Sequence, residues 1–97
     1  MINKLTVNKI SRIKKDSFTL YHHLGLGDFI ICNGLVNFLA KDFKKIYLPV
    51  ISPYKDMISY LYKENNKVSL FEIPNEKREE SIERFSKESN LQILKVG

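Results

Sequence analysis

Apolar and polar positions along the chain fall into alternating short blocks of two kinds. Ser17 to His23 (S-F-T-L-Y-H-H) is rich in β-formers and runs into Gly25-Leu26-Gly27, which predicts a strand followed by a turn. From Asp28 the period changes. Ile31, Leu35, Phe38 and Leu39 recur at helical spacing, and Asn33, Asn37, Lys41 and Lys44 form an opposite polar stripe. Leu35 and Leu39 on that wide apolar face are expected to bury against a sheet. Ile46 to Val50 is a short apolar run and predicts a second strand. Ser52-Pro53 then supplies an N-cap hydroxyl and a proline at the first helical position. Tyr54, Met57, Ile58 and Leu61 make one face of this second helix, expected to stop near Asn65-Asn66. Val68 to Ile73 reads as a third strand, broken by Pro74-Asn75. Glu76, Glu79 and Glu80 suit the first turn of a third helix by dipole complementarity, with only Ile82 and Phe85 to bury. Leu91 to Val96 reads as a fourth strand.

The order β-α-β-α-β-α-β with short connections predicts parallel strands joined by right-handed crossovers. The expected fold is α/β, a Rossmann-like three-layer half with a four-stranded parallel sheet in the order 3-2-1-4. The first helix should be the most buried and the third the most exposed. In that order strands one and four are neighbours, and a ligand crevice opens at their carboxyl ends. Those ends are the turn at residues 25–28 and the final Gly97. Residues 17–97 are expected to form this single domain, incomplete where a site would be closed. Residues 1–16 are expected to be a basic leader.

Composition narrows the classes. The chain has 97 residues and one cysteine, so an internal disulfide framework and a cysteine-rich zinc site are excluded. No apolar run approaches the ~20 residues of a membrane span, and the first fifteen residues lack the apolar block of a secretory signal. The expectation is a soluble, cytoplasmic domain. The net charge of +5 lies wholly in residues 1–45, with eight Lys/Arg against three Asp; residues 46–97 balance at eight against eight. A basic arm of this kind can meet nucleic acid or an anionic surface. It can also be compositional, because Lys, Ile and Asn make up 32 of the 97 residues. Thirteen lysines against three arginines suit base readout poorly, which makes nucleic acid an unfavoured partner.

The segment His22-His23-Leu24-Gly25-Leu26-Gly27-Asp28 carries the candidate chemistry. Its glycines allow positive φ and a close approach to a ligand, and the helix N-terminus that follows offers unpaired N–H groups. A dinucleotide fingerprint is absent: Ile30 stands where a third small residue belongs, and Val50-Ile51-Ser52 replaces the ribose-binding carboxylate. No G-K-[ST] follows, so a P-loop is excluded. Asp28 has two readings, an N-cap for the helix or a carboxylate able to take a proton from an acceptor hydroxyl. His22 and His23 are adjacent on an extended segment and point to opposite faces, so one can face the crevice while joint metal chelation is excluded. Cys32 is expected to pack rather than to attack. Asn33 begins the polar stripe.

Tyr21 to Leu39, Y-H-H-L-G-L-G-D-F-I-I-C-N-G-L-V-N-F-L, resembles the first strand, turn and helix of heptosyltransferase-type glycosyltransferases. That family carries a G-D-x-[ILV] turn, here Gly27-Asp28-Phe29-Ile30, and K-K-I-Y-L-P-V (44–50) matches its second strand in character. The resemblance implies the acceptor-side domain of a two-domain GT-B enzyme, inverting and independent of metal or other cofactor. It puts the catalytic base at Asp28, and the acceptor beside His23, Gly25, Leu26, Gly27 and Asn33. The nucleotide-sugar donor would sit on a C-terminal domain, so the chain alone should not turn over. A homo-oligomer partner could take that domain's place against the sheet. The alternative is a non-catalytic binding module whose basic N-terminal arm contacts nucleic acid or an anionic surface.

Overall fold

A computed structural model of the chain describes residues 16–22 and 25–96. Residues 1–15 of the basic leader, His23, Leu24 and Gly97 lie outside these residues. The described chain runs β1 (Ser17–Tyr21), α1 (Leu26–Leu39), β2 (Lys45–Ile51), a 3-10 turn (Ser52–Tyr54), α2 (Lys55–Leu61), β3 (Val68–Ile73), α3 (Arg78–Ser89) and β4 (Gln92–Lys95). The four strands form one parallel sheet in the order β3-β2-β1-β4. This is the expected α/β Rossmann-like half.

Strand alternation divides the sheet into two faces. Phe18 and Leu20 share a face with Ile46, Leu48, Val50 and Leu94, all essentially inaccessible to solvent. Helices α1 and α2 cover this face: Phe29 meets His22 edge-on at 4.4 Å, and Lys55 of α2 pairs with Glu72 of β3 at 3.3 Å. Because the path reverses from β3 across to β4, a right-handed crossover must put α3 on the opposite face. There Phe85 stacks on Phe71 with ring centroids 3.9 Å apart and leans on Tyr47 at 5.7 Å, while Ile82 is buried. Three layers result.

Several local expectations are corrected. Strand β1 ends at Tyr21, two residues early, and His22 continues off the ladder into the core. The second helix opens with a 3-10 turn rather than a Ser52 cap. Ser52 makes no capping bond, and Ile51 precedes the turn in extended backbone. That helix stops at Leu61, followed by a turn in which Asn65 donates its backbone N–H to the Tyr62 carbonyl at 2.9 Å. Glu76 falls outside α3, whose first turn holds Glu79 and Glu80. Lys77 and Asn90 flank α3 in left-handed backbone, φ 56° and 58°, a conformation that asparagine tolerates and lysine rarely adopts.

The apolar face of α1 also differs. Phe29, Val36, Leu39 and the following Ala40 are buried, whereas Leu35 is half-buried and Phe38 faces solvent. Tyr62, just after α2, is buried with a hydroxyl that finds no partner among the described residues. Burial, and then the charge of nearby Cys32, pushes its pKa up to about 12 from the ordinary 10.0. In the unfolded chain Tyr62 ionises first, so the native state holds the extra proton between these values. Stability should therefore fall as pH rises from about 10 towards about 12, by roughly 2–3 kcal/mol from this group. In Tyr62→Phe that component should vanish, and at neutral pH the variant should be as stable as the parent or slightly more, since no hydrogen bond is lost. Thermal unfolding of both proteins from neutral to alkaline pH checks this; parallel curves would contradict it.

Candidate functional site

The strand order sends α1 and α3 to opposite faces from neighbouring strands, so the carboxyl ends of β1 and β4 are the switch point where an open α/β sheet offers a crevice. Tyr21 pairs with Lys95 in the last register position, and the Val96 N–H donates to the Tyr21 carbonyl at 2.8 Å, extending the ladder to the edge. The chain then re-enters as Gly25 and α1.

Asp28 is not the N-cap. Gly25 holds that position in extended backbone, φ −76° and ψ 159°, and Asp28 is the third residue of α1. The Gly25 N–H donates to Asp28 Oδ2 at 3.2 Å, so the carboxylate reaches back over the helix start, as the acidic member of a capping box does. Gly25 is therefore not there for a positive φ. A Cβ built there would lie 2.9 Å from Asp28 Oδ2, inside contact distance. Gly27 is helical, in the first turn of α1, and Leu26 is the first helical residue. The expected glycine turn has thus become the first turn of the helix.

The structure gathers Gly25, Leu26, Gly27 and Asp28 at one helix start. It does not bring Asn33 to them. Asn33 sits on the second turn, where its Oδ1 accepts from Asn37 Nδ2 at 3.4 Å; Asn37 in turn accepts from Asn65 Nδ2 at 3.2 Å. This amide ladder ties α1 to the segment after α2. His22 is buried against Phe29 beneath α1. For the half-buried Cys32, burial and then the Asp28 charge raise the thiol pKa, which keeps it protonated and unreactive at neutral pH. Among the described residues no group of three His, Cys, Asp or Glu is placed to hold a metal ion.

On the α3 side of the same edge the structure adds residues that the sequence pattern did not single out. Tyr21, Ile93 and Lys95 line a cleft of about 100 Å³ with Glu79, Ile82 and Glu83 of α3. Lys95 Nζ bonds Glu79 Oε1 at 3.1 Å and lies 5.8 Å from the centre of the Tyr21 ring. A cleft this size admits a few water molecules rather than a sugar ring. The cleft lies at the same sheet edge as the start of α1, on the opposite face of the sheet. Only pairing of β1 with β4 reveals this, since residues 21, 79 and 95 are far apart in the chain.

No protein-family model, curated protein or solved structure matches the chain. No helix among the described residues is long and apolar enough to cross a membrane. The fold and the helix-start carboxylate are therefore the ground for a functional reading.

Proposed function

We propose that this chain is the acceptor-side domain of a heptosyltransferase-type glycosyltransferase, acting in the cytoplasm and presenting Asp28 to an acceptor hydroxyl. The observation that carries the reading is the position of Asp28. It is a carboxylate at the start of the helix that follows the first strand, beside the crevice where a doubly wound sheet accepts ligands. The resemblance of residues 21–39 to that family supports the same assignment. In the proposed reaction the acceptor hydroxyl passes its proton to Asp28 as its oxygen bonds the anomeric carbon of the nucleotide-sugar. The bond from that carbon to the nucleotide diphosphate breaks, its electron pair leaves with the phosphate, and the configuration inverts. The Gly25 N–H fixes the carboxylate during the approach. Donor binding belongs to a separate domain, so this chain contributes the acceptor-binding site and the base.

Titration of the isotope-labelled chain with lipopolysaccharide-core oligosaccharides, followed by backbone amide resonances, tests the reading. Shifts should concentrate at Tyr21, Gly25, Asp28 and Val96, and nucleotide-sugars alone should leave those resonances in place. A response to nucleotide-sugar with none to glycan would overturn the acceptor assignment. A response to duplex DNA alone would favour a nucleic-acid module.

A further inference from the structure

The outer surface of the α1–α2 layer carries an apolar face that the described fold leaves uncovered. Ile30, Gly34 and Phe38 repeat every fourth residue along α1, and Met57, Tyr60 and Leu61 lie together on α2. The five large side chains are between 39% and 70% exposed, and the largest apolar patch on a single chain is often a functional surface. The two helices are neighbours on one sheet face, tied at one end by Asn65 to Asn37 and by Lys67 Nζ to the Ala40 carbonyl at 2.6 Å. Gly34 sits between the two apolar knobs of α1, and nothing lies within 4 Å of where its Cβ would be, which leaves a notch in the ridge.

We infer that this face is the interface between two copies of the chain, related by a two-fold axis. Three observations favour a second copy. First, the patch has both the knobs, Ile30 and Phe38, and the notch, Gly34, that a self-complementary helix pairing needs. Second, the exposed neighbours around it carry both signs. Lys41 and Lys63 stand near Asp42, Asp56 and Glu64 in the chain, all exposed, so the surroundings are of mixed sign, as a like-charged copy can tolerate and a polyanion would not favour. Third, the area suffices: at ~200 Å² per large side chain the exposed fractions amount to roughly 550 Å² per copy. Doubled and extended by the polar rim, this reaches the lower bound of about 1,200 Å² for stable association.

Sedimentation equilibrium of the full chain over a concentration series tests the inference. The expected result is a monomer–dimer equilibrium with a dissociation constant on the order of micromolar. Phe38→Glu and, separately, the milder Tyr60→Ser should each weaken it by about tenfold or more, with melting behaviour at low concentration unchanged. Glu80→Lys on the exposed side of α3 should leave the dimer intact. A chain of single-copy mass throughout would overturn the inference, as would a dimer indifferent to both α1–α2 substitutions. So would a monomer that dimerises only when residues 1–15 are deleted, because the leader would then be the native occupant of the face.

Discussion

Leu39→Ala is expected to lower the free energy of unfolding by about 2–5 kcal/mol, whereas Leu35→Ala, one turn earlier, should cost roughly 1 kcal/mol. Leu39 is inaccessible to solvent at the end of α1 and packs into the cluster formed by Phe18, Leu20, Ile46 and Leu48. Truncation leaves a cavity that the sheet cannot close, because its four strands are held by ladder bonds on this side of the core. Leu35 only borders that cluster, and solvent can refill its place. A domain of this size has roughly 5–15 kcal/mol of total stability, so the Leu39 change alone threatens the fold. Urea unfolding of both variants checks the pair; a larger loss at Leu35 would show that α1 is rotated from the orientation described.

That pair marks where sequence pattern sufficed and where it failed. Alternation and handedness gave parallel strands with helices covering the sheet, and the Rossmann-like topology among the right-handed solutions supplied the observed order. The facing of α1 did not follow, since apolar residues surround the helix on nearly every side. Ile30 and Phe38 are as apolar as Phe29 and Val36, and only the sheet beneath decides which pair is buried. The same ambiguity hid the exposed face of the α1–α2 layer. At the site, Asp28 was legible as the one carboxylate of the turn, but its role as third helical residue was not. The signal was the spacing Gly25-x-x-Asp28, which allows the N3 carboxylate half of a capping box with no N-cap side chain to answer it. Tyr21, Glu79 and Lys95 could not be found from local pattern, because β4 brings them together only by crossing the sheet.

The most direct test of the proposed chemistry is Asp28→Asn, measured together with the donor-binding domain that the proposed function requires. Asparagine keeps the side-chain oxygen that accepts the Gly25 N–H, so helix α1 should start at the same residue and the melting temperature should hold. Acceptor affinity should be largely unchanged, because the shape of the helix start is preserved. Single-turnover transfer should nevertheless fall by on the order of 10²–10⁴, since the amide cannot take the proton from the acceptor hydroxyl. Melting temperature, acceptor binding and single-turnover rate on one preparation form the measurement. Unchanged stability and binding with the rate lost is the expected result; unchanged stability with an unchanged rate would remove Asp28 from the chemistry and leave it only as the carboxylate that holds the Gly25 N–H.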